Sequence, residues 1–186
     1  MEMKKLDNQK GFTLVEIAIV LVIIGLLLGG VLKGQELIEN AKIKAVTSDF
    51  DNISAAYYAY QDRTGNIPGE GGTVDGVVDD NTAFWNELKT EGFLSGAQNT
   101  DVGHDLSGVW SVNSGSAVVP TPAGDFADNV NNICASNIPE SFAAGIDTKL
   151  DDGDATSGVI RTTGGTGASN AYSAASETRI ALCKQL

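Results

Sequence analysis

An uninterrupted apolar stretch near the N-terminus constrains this chain more than any other feature. Between Phe12 and Leu32 the only charged residue is Glu16, and no proline occurs. A helix of this length spans roughly 30 Å, which is the thickness of the hydrocarbon core of a bilayer. We therefore predict that residues 12–33 form a membrane-spanning helix.

Glu16 is unusual in such a segment, because an unpaired carboxylate in hydrocarbon costs on the order of 2.5–3.5 kcal/mol. An ordinary membrane anchor has no use for this charge, so Glu16 needs a cationic partner. The nearest candidate in the sequence is not a side chain. It is the α-amino group that cleavage after Gly11 would create on Phe12.

The sequence KGFTLVEIAIVLVIIGLLL, at residues 10–28, closely resembles the class III signal of type IV pilins and of the pseudopilins of type II secretion. The resemblance implies that residues 1–11 are a leader, which a prepilin peptidase removes between Gly11 and Phe12 before it methylates the new amine. It also implies that Glu16 pairs with the amine of a neighbouring subunit. The alternative, a conventional secretory signal, has a shorter apolar region of about 7–15 residues followed by a small-residue cleavage site.

The helix is predicted to continue through an amphipathic half, residues 34–64. Apolar residues recur there at spacings of three and four, the pattern of one helix face packed on a soluble domain. Gly65 is predicted to end the helix, and Pro68 prevents it from resuming. The apolar stripe consists of Ile43, Val46, Phe50, Ile53, Tyr57 and Tyr60.

Four glycines, Gly25, Gly29, Gly30 and Gly34, lie inside the predicted helix. Each costs about 0.5–1 kcal/mol relative to alanine. Two interpretations remain open: small residues let helices pack closely in lipid, or they form a weak segment that unwinds when the subunit leaves the bilayer. Many type IV pilins have a proline in this region, whereas this chain has glycines and Lys33.

Residues 65–186 are predicted to form a small α+β head with many loops, because they are rich in Gly, Asp, Asn, Ser and Thr. Strands are predicted as a pair within 107–119, at 158–161 and at 178–184. We therefore expect a pilin-like α+β fold, in which an antiparallel sheet of about four strands packs on the amphipathic half of the long helix.

Two shorter helices are predicted within the head. One begins with Asn81 or Thr82 as its cap and ends at Gly92. The other is one or two turns within 138–145, with Pro139 at the first helical position. The side chains expected to pack inward around the first of these helices are Phe84, Trp85, Leu88, Phe93 and Leu94.

Cys134 and Cys183 are the two cysteines of the chain. Downstream of an export signal an oxidising compartment is expected, so we predict a disulfide between them. Two unpaired small core residues are the alternative. A C-terminal disulfide loop of this kind is typical of pilins and less so of pseudopilins.

The densest group of potential metal ligands is acidic: Asp147, Asp151, Asp152 and Asp154, with Gly153 for the bend. Calcium takes about six to eight oxygen ligands on a flexible loop. The group resembles acidic C-terminal loops that bind calcium in some pseudopilins and pilins, although it does not match the EF-hand pattern. The alternative is a solvated Asp-Gly turn. No cofactor is required by the sequence, and calcium is the one candidate.

Composition argues against several other functions. The net charge is −12, with 24 acidic and 12 basic residues, and nucleic-acid binding would require basic residues to neutralise phosphates. The single histidine, His104, has no cysteine nearby for a zinc site, and no phosphate-binding GxxxxGK[ST] loop occurs. We therefore expect a protein that is not an enzyme.

Together these features predict a structural subunit of a type IV pilus-like filament. The resemblance implies a homo-oligomer, a prepilin peptidase, and an inner-membrane platform with its ATPase as partners. The subunit would span the inner membrane once and later stand in an extracellular or periplasmic filament. The alternatives are a pseudopilin of type II secretion, and a minor pilin or adhesin.

Overall fold

The computed structural model describes residues 11, 13–72, 74–114, 130–163, 172 and 178–186. The chain divides into two compact units, Met1–Asn40 and Ala41–Leu186. The elements in chain order are α1 (Leu14–Thr64), α2 (Asn81–Thr90), β1 (Trp110–Ser114), β2 (Asn131–Pro139), α3 (Glu140–Leu150), β3 (Ile160–Thr163) and β4 (Arg179–Gln185).

The long helix α1 ends at the predicted residue, Thr64, but it begins at Leu14 instead of Phe12, since Thr13 is not helical. The next residue, Gly65, has φ +74°, and its N–H donates to the carbonyl of Gln61 at 2.9 Å. A left-handed residue in this place satisfies one of the last helical carbonyls, and glycine adopts that conformation without a Cβ penalty.

The predicted stripe of α1 is the centre of the hydrophobic core in the second unit. Ile43 is partly buried and packs against this core, and the other members of the stripe are buried. The ring of Phe50 meets Trp110 of β1 edge to face, with centroids 4.6 Å apart. Lys184 of β4 and Asp51 of α1 form a salt bridge of 2.9 Å beside this contact surface. The buried members are Val46, Phe50, Ile53, Tyr57 and Tyr60.

The four-stranded antiparallel sheet is confirmed, but its strands are not all the predicted ones. Their order is β1-β2-β4-β3, and every neighbouring pair is antiparallel. The prediction missed β2, a central strand. The second strand of the pair predicted within 107–119 would begin after Ser114, and residues 115–119 lie outside the described residues.

Both short helices begin differently from the prediction. The cap of α2 is Asp80, whose Oδ1 accepts from the N–H groups of Thr82 and Ala83 at 2.8 and 2.9 Å. Asn81 instead accepts from Val112 of β1 at 2.7 Å, so its amide joins helix to sheet. The predicted inward packing of Phe84, Trp85 and Leu88 is correct, because all three are buried.

α3 is longer than predicted, and Pro139 is its N-cap residue instead of its first helical residue. The helix runs from Glu140 to Leu150. It lies close to α1 at Gly145, where an added Cβ would be 3.1 Å from Ile43 Cδ1. The extension carries Asp147 into the last turn of the helix, where it is fully buried.

Candidate functional site

Glu16 belongs to a capping box at the start of α1. The Glu16 N–H donates to Thr13 Oγ1 at 3.2 Å, while Glu16 Oε2 accepts from the Thr13 backbone N–H at 2.9 Å and from its hydroxyl at 2.8 Å. A Thr-x-x-Glu sequence before an apolar run is the known signature of this reciprocal arrangement. This signature, Thr13-Leu14-Val15-Glu16, is present in the sequence but is not among the predictions above.

The capping box gives the Glu16 carboxylate hydrogen-bond partners within its own chain, but no cationic partner. Two hydrogen bonds from Thr13 satisfy one of its oxygens within the chain, but they supply no positive charge. The carboxylate therefore has no cationic partner among the described residues, and it lies at the N-terminal end of α1. Phe12, whose α-amine is the predicted partner, is the residue directly before Thr13 and lies outside the described residues, whereas Gly11 is described and exposed.

Residues 14–32 of α1 are exposed, and Glu16 is the one charged residue among them. The most apolar window of 18 residues in the helix has a mean hydropathy of 2.8, and none of that window is buried. By length and composition this helix is able to cross a membrane. An added Cβ would meet nothing within 4 Å at Gly25, Gly29, Gly30 or Gly34. Among the described residues of the chain, these glycines therefore make no close packing contact. Close helix packing in lipid and a weak segment that unwinds both remain predictions.

Cys134 and Cys183 are joined by a disulfide. They lie directly opposite each other in the adjacent strands β2 and β4. Both are buried. The bond therefore fastens the C-terminal strand to the centre of the sheet.

The structure brings together three of the four acidic residues that were predicted to bind a cation. Carboxylate oxygens of Asp147, Asp151 and Asp152 lie within 4.8 Å of one another. In the described part of the chain, no other group of three or more Asp, Glu, His or Cys side chains converges in this way. Asp154 is not part of the group. Its Oδ1 accepts from the backbone N–H and the hydroxyl of Thr156 at 2.9 and 2.7 Å.

Asp147 is the buried member of this group. Its Oδ2 accepts from the Tyr172 hydroxyl at 2.6 Å, and its Oδ1 accepts from the Gly153 N–H at 3.3 Å. Burial raises the pKa of Asp147 above its ordinary value, and the two hydrogen bonds oppose that rise. Burial and the Asp147 carboxylate also raise the pKa of Tyr172.

The exposed members are held by the loop itself. Asp151 Oδ2 accepts from the N–H groups of Val159 and Ile160. Asp152 accepts from the Asp154 N–H at 2.8 Å and from the Ser157 hydroxyl at 2.7 Å, and these bonds lower the pKa of Asp152. Carboxylate oxygens are the kind of ligand that a hard cation such as calcium binds, but three carboxylates are fewer than the ligands of a complete calcium coordination shell. Calcium binding here remains a prediction.

His104 is engaged on both ring nitrogens. Nδ1 accepts from the Leu106 N–H at 3.3 Å, so Nε2 carries the proton and donates to the Ser136 carbonyl at 2.8 Å. Burial lowers the pKa of His104, and the nearby carboxylates of Asp49 and Asp105 oppose the change. The ring fastens the loop before β1 to the irregular part of β2 between Ala135 and Ile138, which is a structural role.

A model of the prokaryotic N-terminal methylation motif matches residues 6–32. The matched range contains Gly11, Phe12 and Glu16. Among solved structures, the major type IV pilin PilA1 from Clostridium difficile is similar to the chain, with 15% sequence identity and a TM-score of 0.44. That similarity covers 80% of this chain and 96% of the other. No curated protein sequence matches the chain.

Proposed function

We propose that the chain is a prepilin, the structural subunit of a type IV pilus-like filament, which is cleaved before Phe12 and polymerises through its N-terminal helix. The match of residues 6–32 to the N-terminal methylation motif carries this proposal. A helix of membrane-spanning length and composition begins two residues after the predicted cleavage site, at Leu14, and supports it.

Before assembly, the subunit waits in the inner membrane. The exposed apolar surface of residues 14–32 is then covered by lipid, and the Glu16 carboxylate is held by Thr13. A prepilin peptidase removes residues 1–11 and methylates the amine of Phe12. A platform protein and its ATPase then extract the subunit into a filament outside the inner membrane, extracellular or periplasmic.

The charge of Glu16 sets the position of each incoming subunit. An anion without a cation is costly in an apolar environment. When the Phe12 ammonium of one subunit lies beside Glu16 of another, the attraction between the two opposite charges offsets the free energy that each costs in the apolar environment. The apolar helices then bury one another, while the acidic heads stay in water. Residue 16 of one copy thus stands level with residue 12 of the next.

The mass and N-terminal sequence of the protein in filaments sheared from its native host test this proposal. We expect a chain that begins at a methylated Phe12 and contains the disulfide between Cys134 and Cys183. A chain that keeps residues 1–11, or that begins elsewhere, would contradict the proposal. Surface fibres in which this protein dominates would further distinguish a major pilin from a pseudopilin or a minor pilin.

A further inference from the structure

Residues 103–108, which we call the His104 loop, form a tight turn just before β1. Gly103 pairs with Val109 in an isolated antiparallel bridge. Inside the turn, the His104 N–H donates to the Gly108 carbonyl at 3.1 Å. These contacts shape the turn, but they do not join it to another helix or strand. The side chains of the loop and of its neighbours therefore decide how firmly the loop is held.

Two side-chain hydrogen bonds fasten the His104 loop to the irregular part of β2. The imidazole Nε2 of His104 donates to the Ser136 carbonyl at 2.8 Å, and Asn137 Nδ2 donates to the Ser107 carbonyl at 2.9 Å. The His104 ring also meets the ring of Trp110 in β1, with centroids 5.5 Å apart. Of these groups, the imidazole is the one that ordinarily changes its charge between about pH 5 and pH 8.

The neutral imidazole of His104 has no room for a second proton. Nε2 already carries the proton that it donates to Ser136, and Nδ1 accepts from the Leu106 N–H at 3.3 Å. A proton on Nδ1 would set two N–H groups against each other and take the acceptor from Leu106. Because Leu106 is buried, a donor left without an acceptor there is costly. The closed arrangement of the loop thus fits the neutral ring and not the charged one.

We propose that His104 is an acid-sensitive latch, in which protonation of the imidazole releases the His104 loop from β2. The charged groups that act on the ring are Asp49 of α1 and Asp105 of the loop itself. β2 and β1 face it with neutral groups, the Ser136 carbonyl and the Trp110 ring. Burial lowers the pKa of His104, and it outweighs the Ser136 hydrogen bond and the two carboxylates, which act the other way. The latch belongs to the head and does not depend on filament assembly.

Acid should open the latch, because the pKa of His104 is lower in the closed loop than in the open one. The closed loop binds the imidazole proton less tightly, so its stability is fully present at neutral pH. That stability is lost as pH falls through the ordinary histidine pKa, about 6.5. Asp49 acts in the opposite sense, because burial raises its pKa, but a carboxylate ordinarily takes up its proton at lower pH than an imidazole does. As pH falls, the effect of His104 therefore comes first.

Nuclear magnetic resonance of the untagged full chain in detergent tests the latch. His104 is the one histidine in the sequence, so its Cε1–H signal follows this imidazole alone as pH is lowered from about 7.5 to about 5. We expect the protection of the Leu106 amide against hydrogen exchange to fall by up to about tenfold per pH unit between the pKa of the open loop and that of the closed loop. The Leu182 amide, in the middle of β4, is the control and should not lose protection. Equal losses at the two amides, or no loss at Leu106, would overturn the latch.

Two variants separate the protonation of His104 from its packing. His104→Gln keeps a side-chain N–H for the Ser136 carbonyl but takes up no proton, so the Leu106 amide should keep its protection throughout this pH range. Asp49→Asn removes an anion that stabilises the charged imidazole in the closed loop, so the acid-induced loss of protection at Leu106 should become larger. The same loss in His104→Gln as in the native chain would overturn the proposal, and so would a smaller loss in Asp49→Asn.

Discussion

The Tyr172 hydroxyl donates a hydrogen bond of 2.6 Å to the carboxylate of Asp147, which is fully buried. Tyr172 and Asp147 are 25 residues apart in the sequence, so this bond fastens a late segment of the chain to the end of α3. This carboxylate has neutral hydrogen-bond donors and no cation beside it among the described residues. Its protonation should therefore make the stability of the folded protein depend on pH. The first prediction follows from this bond.

We expect Asp147→Asn to change how the stability of the protein depends on pH. Because burial raises the pKa of Asp147 in the folded state, the folded protein holds this proton more tightly than the unfolded chain. The contribution to stability is therefore largest at acidic pH and is lost as pH rises through the raised pKa. Relative to the native chain, the asparagine variant should therefore gain stability as pH rises from the acidic range to neutral.

Denaturant unfolding of the full chain in detergent measures this change. Asp62→Asn is the control, since Asp62 is exposed on α1 and its variant should follow the pH dependence of the native protein. A difference between Asp147→Asn and the native chain that does not vary with pH would contradict the prediction.

Calcium should stabilise the head through the three converging carboxylates. An ion that binds only the folded state raises the free energy of unfolding, by about 2.7 kcal/mol when its concentration is a hundred times the dissociation constant. We expect calcium to raise the melting temperature more than magnesium does. Asp151→Asn combined with Asp152→Asn should abolish that rise, and equal melting temperatures in calcium and in chelator would contradict the site.

Glu16 should matter for assembly through its charge and not through its capping hydrogen bonds. Glu16→Gln keeps the capping box, since glutamine serves at this position, but it removes the charge. We expect Glu16→Gln and Glu16→Ala to insert in the membrane normally and to lower incorporation into filaments by about tenfold or more.

Thr13→Ala separates the two roles of Glu16, because it removes the hydroxyl of the capping box and keeps the carboxylate. This variant should retain most of the incorporation, at a cost of about 1 kcal/mol in helix stability. Incorporation is measured by immunoblotting of sheared filaments against total membrane protein. Normal incorporation of Glu16→Gln would show that the charge is not required.

Removal of the disulfide should destabilise the head strongly. Cys134 and Cys183 are separated by 49 residues, and closing a loop of that length stabilises by about 4 kcal/mol in the chain-entropy model. We expect Cys134→Ala with Cys183→Ala to lower the free energy of unfolding by about this amount. Reduction of the native protein should reproduce the loss, and a reductant should have no effect on the double variant.

Gly108→Ala should disturb the loop before β1, whereas Gly103→Ala should be tolerated. An added Cβ at Gly108 would overlap the Ser136 carbonyl oxygen and His104 Nε2. At Gly103 the nearest atom would be 3.6 Å away, an ordinary contact. We expect Gly108→Ala to cost about 1–3 kcal/mol of stability, and equal stabilities of the two variants would contradict the close approach.

The local features of this protein were predictable from its sequence, because each depends on residues close together in the chain. Helical spacing identified α1 and its buried stripe, and Gly65 marked the end of the helix. The motif around Glu16 indicated the function now proposed. The Thr13-x-x-Glu16 capping box was equally local, and a search for N-terminal helix signals would have found it.

The central strand β2 could not be recognised in the same way. Its sequence, NNICASNIP, resembles a loop because asparagine is rare in strands. Asn131 is suited to this place by distant partners: its Oδ1 accepts from the Val78 N–H at 2.8 Å, and its Nδ2 donates to the Gly76 carbonyl at 2.9 Å. Burying an amide that keeps its hydrogen bonds costs little free energy. Only the folded chain brings these partners to Asn131.

The sequence by itself thus determined the long helix, its apolar first half and the two cysteines available for pairing, since periodicity and composition act over a few neighbouring residues. Only the tertiary structure decided that Asn81 joins α2 to β1, and that Asp147 is buried and accepts a hydrogen bond from Tyr172. Those outcomes depend on contacts between segments far apart in the chain, and such contacts exist only after the sheet and helices have packed.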